Sequence, residues 1–350
     1  MEKSDKITII DVARRAGVSK GTVDRVLHDR GEVSERSARR VRKAIADLGY
    51  RPNLYASLLA TRRHMVIACL LPSPEKGEYW DLIRLGCLKG SERAAALNVS
   101  VEIFFYDQYD VESFREAGER MLASDPIGVV LPPLFKADTL ELSAKLYRRR
   151  IPYVYIDSRV EDNHYLAYFG MPPYNSGVLV AALLTERCSP ESVDDILVVR
   201  LRRDKSGLSD PTVDRRAGFT DYITEHFPDS RIHNVFIDPS SPGDTISVLE
   251  DYWAAHPDNK FVTVFNSRVH LLAAFLRSHP DPRRRVIGYD NLEKNLEAVR
   301  DGDVTVLIGQ HTEEYVAQAV SCLVDWCLKR QAPSERDNYV HMDILTRYNI

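Results

Sequence analysis

Residues 11–34 read DVARRAGVSKGTVDRVLHDRGEVS, and the apolar spacing on either side of Gly17 decides how the chain begins. Val12, Ala13 and Ala16 mark one face of a first helix, Gly17-Val18 supplies a tight turn, and Val23, Val26 and Leu27 mark the inward face of a second helix. A third helix is expected over 34–48: Ser34 is its N-cap, Glu35 lies in the first turn, and Ala38, Val41, Ala44, Ile45 and Leu48 recur at helical spacing. Three helices with a short turn between the first two make a helix-turn-helix. Ser19 can cap the second helix, which leaves Lys20, Gly21, Thr22 and Arg25 near the end of a helix able to enter a DNA major groove.

Charge separates this head from the rest of the chain. Residues 1–63 carry 15 Lys and Arg against 8 Asp and Glu, whereas the remainder carries 32 against 43. A basic head suits a polyanion, and an acidic body is kept away from it. A length of 350 residues implies roughly two or three compact units. The longest apolar runs, such as 65–71, fall far below the ~18 residues needed to span a membrane. The opening Met-Glu-Lys-Ser-Asp-Lys lacks the apolar stretch of a signal peptide, so a cytoplasmic location is expected. Five cysteines, odd in number and without a CxxC pair, read as reduced thiols. No P-loop, GxSxG, HExxH or metal-spaced His/Cys cluster is present, so no catalysis, cofactor or metal is expected. Ser73-Pro74-Glu75-Lys76 fits S-x-x-K, but its partner motifs are missing.

From residue 65 onward strand-like and helix-like runs alternate. Nine strands are expected at 65–71, 99–107, 128–133, 152–157, 195–201, 234–238, 261–266, 285–290 and 304–310, with amphipathic stretches such as 112–124 and 270–276 between them. Such alternation means a doubly wound α/β body with parallel sheets, and nine strands suggest two α/β subdomains with a cleft between them. In open α/β sheets ligands bind beyond the carboxyl ends of the strands. Asp157, Asn266, Asp290 and Gln310 end strands there, Arg215 begins the helix after Val198-Val199, and Tyr79-Trp80 leads a helix after the first strand. Together they offer carboxylates, amides and a guanidinium for hydroxyl groups, and an aromatic plate for the apolar face of a sugar ring.

These residues carry a resemblance. The run TIIDVARRAGVSKGTVDRVL, followed by VSERSARRVRKAIADLGYRPN, is similar to the DNA-binding head of the lactose-repressor (LacI/GalR) family of bacterial transcription regulators. The resemblance implies base reading by Lys20 and Arg25, phosphate positioning by Ser19 and Thr22, and a place at the DNA for Gly21 and Asn53. It also implies a hinge segment at 53–63 whose Leu59 wedges into the minor groove when two chains sit side by side on an operator. Asp24 and Gly21 depart from the usual pattern, which holds serine and a base-reading side chain there. The body resembles the periplasmic sugar-binding-protein fold, with Tyr79, Trp80, Asp157, Arg215, Asn266, Asp290 and Gln310 at matching positions.

The expectation is therefore a helix-turn-helix domain at 1–52, a hinge at 53–63 and an effector-binding body at 64–350. Within the body one subdomain spans about 64–168 plus 311–338 and the other about 169–310 plus 339–350. The expected partners are operator DNA, a carbohydrate effector and a second copy of the chain in a homodimer. The alternative is a body that senses a non-sugar metabolite or a protein partner.

Overall fold

A computed structural model describes residues 8–27, 31, 33–48, 65–160, 164–202, 211–239 and 241–350. The chain divides into two compact units, 1–64 and 65–350. In the first, α1 (Ile9–Ala16), α2 (Lys20–Leu27) and α3 (Glu35–Leu48) enclose a small core of Val12, Ala13, Ala16, Val23, Val41 and Ala44. Asp11 opens α1 by accepting from the Thr8 amide at 2.9 Å and hydroxyl at 2.7 Å, which holds its carboxyl below the usual range. Gly17 stops α1 at φ +60°, a left-handed cap that costs glycine nothing, and Arg40 donates to its carbonyl at 3.2 Å. Ser34 accepts from the Ser37 amide at 3.3 Å, the cap expected for α3. Asn53, Leu59 and the whole 53–63 segment lie outside the described residues.

The second unit holds two six-stranded sheets. The first contains β1 (Met65–Pro72), β2 (Val99–Tyr106), β3 (Gly128–Leu131), β4 (Tyr153–Ile156), β5 (Ala167–Gly170) and β11 (Asp337–Tyr339), in the order β11-β5-β4-β3-β1-β2 and parallel throughout. The second contains β6 (Asp195–Leu201), β7 (Arg231–Ile237), β8 (Phe261–Val264), β9 (Arg285–Tyr289), β10 (Val306–Gly309) and β12 (Asp343–Leu345), in the order β12-β10-β9-β8-β6-β7. All its pairings are parallel except that of β12 with β10. The central strands read as continuous apolar runs because helices cover both faces; in β1 every residue after Met65 is buried.

The helices are α4 (Tyr79–Ala95), α5 (Val111–Ala123), α6 (Lys136–Arg148), α7 (Pro173–Leu184), α8 (Pro211–His226), α9 (Pro242–Ala255), α10 (Ala273–Ser278), α11 (Glu293–Asp301) and α12 (Thr312–Lys329). Three strands go beyond the nine expected: β5, β11 and β12, of four, three and three residues. β11 and β12, three residues each at the edges of their sheets, are too short to show a pattern and form where a built sheet offers an edge, whereas β5, as long as β3 and β4, was missed. Phe169, Gly170 and Tyr339, expected with the second subdomain, pair in the first sheet, and both sheets are parallel as expected apart from the short antiparallel edge strand β12.

Candidate functional site

The carboxyl ends of strands from both sheets open onto one cavity of about 550 Å³. Tyr79, Trp80, Asp157, Arg215, Asn266, Asp290 and Gln310 all line it. The chain brings them there by a repeated local device. Asp157 follows β4 and Asp290 follows β9, at φ +65° and +69°, and a side chain held in that left-handed region is a strain typical of functional sites.

Two hydrogen-bonded groups face the cavity. On the side of the first sheet, the Tyr79 hydroxyl donates to Asp157 Oδ1 at 2.6 Å and lies 2.8 Å from the Tyr315 hydroxyl of α12. Burial and the Asp157 charge push the Tyr79 phenol well above its ordinary pKa, so it stays a neutral donor. Trp80 packs edge-on against Tyr79, with ring centroids 5.4 Å apart, and its indole donates to Gln108 at 3.1 Å.

On the side of the second sheet, Arg215 is only 4% exposed. It is the fifth residue of α8 and not its first, so its side chain sets out from within the helix. Its Nη1 donates to the Phe265 carbonyl at 2.7 Å and its Nη2 to Gln310 Oε1 at 3.4 Å, while the guanidinium lies 4.2 Å from the centre of the Tyr289 ring. Burial opposes this cation, yet Tyr289, Asp290 and Asp157 outweigh it and leave its pKa raised. Arg215 Nε is buried and has no hydrogen-bond partner among the described residues. Gln310 Nε2 in turn donates to Asp290, whose carboxyl burial pushes up to about 6 even though Arg215 and Gln310 favour its ionised form. Asn266 Oδ1 is engaged by the Arg268 amide at 2.9 Å, which fixes the turn after β8.

Sequence reasoning missed several walls of this cavity. Asp238 ends β7 as the chosen aspartates end their strands, and the same rule would have found it. Tyr315, which lies behind Tyr79 and does not itself line the cavity, had no signal, because Tyr79 lies 236 residues away. Glu78 binds Lys294 of α11 at 2.9 Å and approaches Arg268 at 3.7 Å, joining the start of α4 to the second half of the body at the cavity rim.

In the head, Ser19 Oγ accepts from the Thr22 amide at 3.1 Å, so Ser19 caps α2. Lys20, Gly21 and Arg25 are exposed and Thr22 is half-buried, while Val23 turns into the core.

Comparison with known proteins sets this geometry among relatives. Residues 8–53 match the family of bacterial regulatory proteins, lacI family, and residues 67–330 match the periplasmic binding protein domain. The chain belongs to the lacI family of bacterial regulatory proteins, with a periplasmic-binding-protein body. A crystal structure described as that of a LacI transcriptional regulator from Bacteroides fragilis is 30% identical, with a TM-score of 0.77 over 82% of this chain and 98% of the other. HTH-type transcriptional regulator MalR of Streptococcus pneumoniae is 38% identical over 92 residues, 26% of this chain and 28% of that protein. The first curated relatives are thus matched over about a quarter of their length. GanP, a glucose-galactose binding protein from Geobacillus stearothermophilus, shares the fold of the lacI-type body with a TM-score of 0.69 at 17% identity, over 83% of this chain and 99% of that one. No described helix is long and apolar enough to cross a membrane.

Proposed function

We propose that this protein is a sequence-specific DNA-binding transcription regulator, a repressor, whose operator affinity is set by a sugar or sugar derivative bound in the cavity of the body. The carrying observation is the buried Arg215–Gln310–Asp290 group facing the Tyr79–Asp157 pair across one cavity. Two carboxylates, two amides, a guanidinium and an indole suit a ring that carries hydroxyls on its edge and C–H groups on its face. Lys20 and Arg25 supply base-reading cations on the exposed side of α2, and Ser19 and Thr22 supply phosphate contacts.

The chain acts as a homodimer, with two heads on adjacent half-sites of a pseudo-palindromic operator and Asn53 and Leu59 at the DNA. The body's two α/β parts close around the effector, and that closure is transmitted through residues 53–63 as a change of DNA affinity. The homologues are regulators and not enzymes, and the same cavity chemistry serves binding without a reaction.

The test is a thermal-shift panel of mono- and oligosaccharides, sugar acids, sugar phosphates and purines on the full-length protein. A ligand at 100 times its Kd stabilises by ~2.7 kcal/mol, and a hit should also change DNA binding. A panel in which no sugar shifts the melt while a purine does would replace the carbohydrate reading.

A further inference from the structure

At the other end of the second sheet from the cavity, the first residue of β6 gathers two imidazoles. Asp195 Oδ1 lies 2.7 Å from His233 Nε2, on β7, and its Oδ2 lies 3.2 Å from His256 Nδ1, just past α9. The ligand-type atoms of the three residues all fall within 4.8 Å of one another, and among the described residues no other trio of His, Cys, Asp or Glu does so. We propose that Asp195, His233 and His256 form a binding site for one divalent transition-metal ion of the zinc class.

The donor set is the first argument. Two imidazole nitrogens and one carboxylate are the N/O ligands such ions take, and three protein ligands leave a fourth position for water. Atoms that share a tetrahedral zinc at ~2.1 Å stand roughly 3.4 Å apart; the 2.7 Å and 3.2 Å contacts are made by different oxygens of Asp195, so the carboxylate must turn to present one oxygen to both imidazoles and the shorter contact must open by about 0.7 Å.

The surround is preorganised. The Asn259 side-chain amide donates to the Asp195 carbonyl at 2.7 Å, fixing the turn after His256 to the start of β6. Tyr252 stacks on His256, with ring centroids 4.7 Å apart, and lies edge-on to His233 at 5.7 Å, which holds both rings in place. Tyr252 Oη and Asn259 Oδ1 are buried and have no hydrogen-bond partner among the described residues. Both belong to residues in contact with the trio.

Third, the present countercharge is displaceable. Arg231 Nε reaches Asp195 Oδ1 at 3.1 Å, but its side chain is 69% exposed, so it can swing into solvent when a divalent ion takes its place. Such an ion would clasp β6, β7 and the end of α9 together without touching the cavity.

The experiment is calorimetric titration of chelator-stripped full-length protein with zinc, with magnesium as control. One equivalent of zinc should bind and magnesium should not. His233→Ala and His256→Ala should each weaken that event at least tenfold, and Arg231→Ala, which removes the competing cation, should tighten it several-fold. Cobalt should give visible d–d absorption in the wild type, a readout that needs no variant to fold. Absence of a stoichiometric event in both the wild type and Arg231→Ala, or zinc binding indifferent to both histidine substitutions, overturns the proposal.

Discussion

Asp157 and Asp290 occupy equivalent places in two different sheets. Each directly follows the third strand in its sheet order, at φ +65° and +69°, and each amide donates to the adjacent strand, Asp157 to Phe169 at 3.2 Å and Asp290 to Ile308 at 3.0 Å. The two sheets thus present one carboxylate each to the same cavity from the same backbone geometry. Their surroundings differ: Asp157 accepts from a phenol, whereas Asp290 is fully buried beside a guanidinium.

That difference makes Asp290 a source of pH dependence. Its carboxyl is raised from 3.8 to about 6, so the stability it contributes is fully present below pH 3.8 and is lost as pH rises through 6. At neutral pH the ionised group therefore costs on the order of 2–3 kcal/mol. Asp290→Asn should flatten the stability profile between pH 4 and 7 and raise stability at pH 7.5 by ~1–3 kcal/mol, while it abolishes the ligand response. Denaturant melts at pH 4.5 and 7.5 decide this; a variant that parallels the wild type at both values would show that Asp290 does not titrate in this range.

Removing the other half of that pair should act in the opposite sense on stability. Arg215→Ala leaves Asp290 buried without its cation and Gln310 without a donor, at a cost of ~3–5 kcal/mol. Ligand-induced stabilisation should disappear. DNA binding by the purified variant should remain within a few-fold of wild type, since the head has its own core. Retained ligand binding would place the effector elsewhere.

The position of Arg215 depends on a glycine in the neighbouring helix. A Cβ on Gly177 of α7 would fall 1.8 Å from the Arg215 carbonyl oxygen of α8. Gly177→Ala must push the two helices apart, with an expected destabilisation of ~1–3 kcal/mol and weaker effector binding through a displaced guanidinium. Unfolding and ligand titration of the same sample should both move; an effect on stability alone would uncouple the helix contact from the site.

At the rim, the Glu78–Lys294 pair joins the two halves of the body at 2.9 Å. Lys294 is 57% exposed, so Lys294→Ala should cost less than ~1 kcal/mol of stability. Because the pair bridges α4 and α11, its loss should instead raise the effector dissociation rate, measured by stopped-flow fluorescence of Trp80. An unchanged rate would show that the pair has no part in closure.

In the head, Arg25→Ala should relax discrimination between operator variants, and Lys20→Ala should lower affinity, both with the body's melting unchanged. Ser19→Ala removes the hydrogen bond to the Thr22 amide and should cost ~1 kcal/mol of head stability. Leu59→Ala should weaken operator affinity and bending without altering effector affinity. Fluorescence anisotropy on a series of operator variants separates these effects, and equal losses on every sequence would assign Arg25 to phosphate.

The amino-acid sequence specified the three-helix head, because Val12, Ala16, Val23, Val41 and Ala44 recur at helical spacing within 33 residues and Gly17 punctuates them. It also determined the doubly wound body, because a parallel strand buried on both faces writes itself as a continuous apolar run such as 65–71. Four of the seven cavity residues, Asp157, Asn266, Asp290 and Gln310, were legible for a related reason: strand ends are readable, and topology sends carboxyl ends of strands to one place.

Tertiary structure alone decided what depends on distant pairing. The strands β11 and β12 are too short to carry a pattern, and a sheet edge supplies their order. Tyr315 meets Tyr79, Glu78 meets Lys294, and Asp195 meets His233 and His256 across separations of 38 to 236 residues. No local period encodes such meetings; the register of β6 on β7 and the packing of helices on the sheets do.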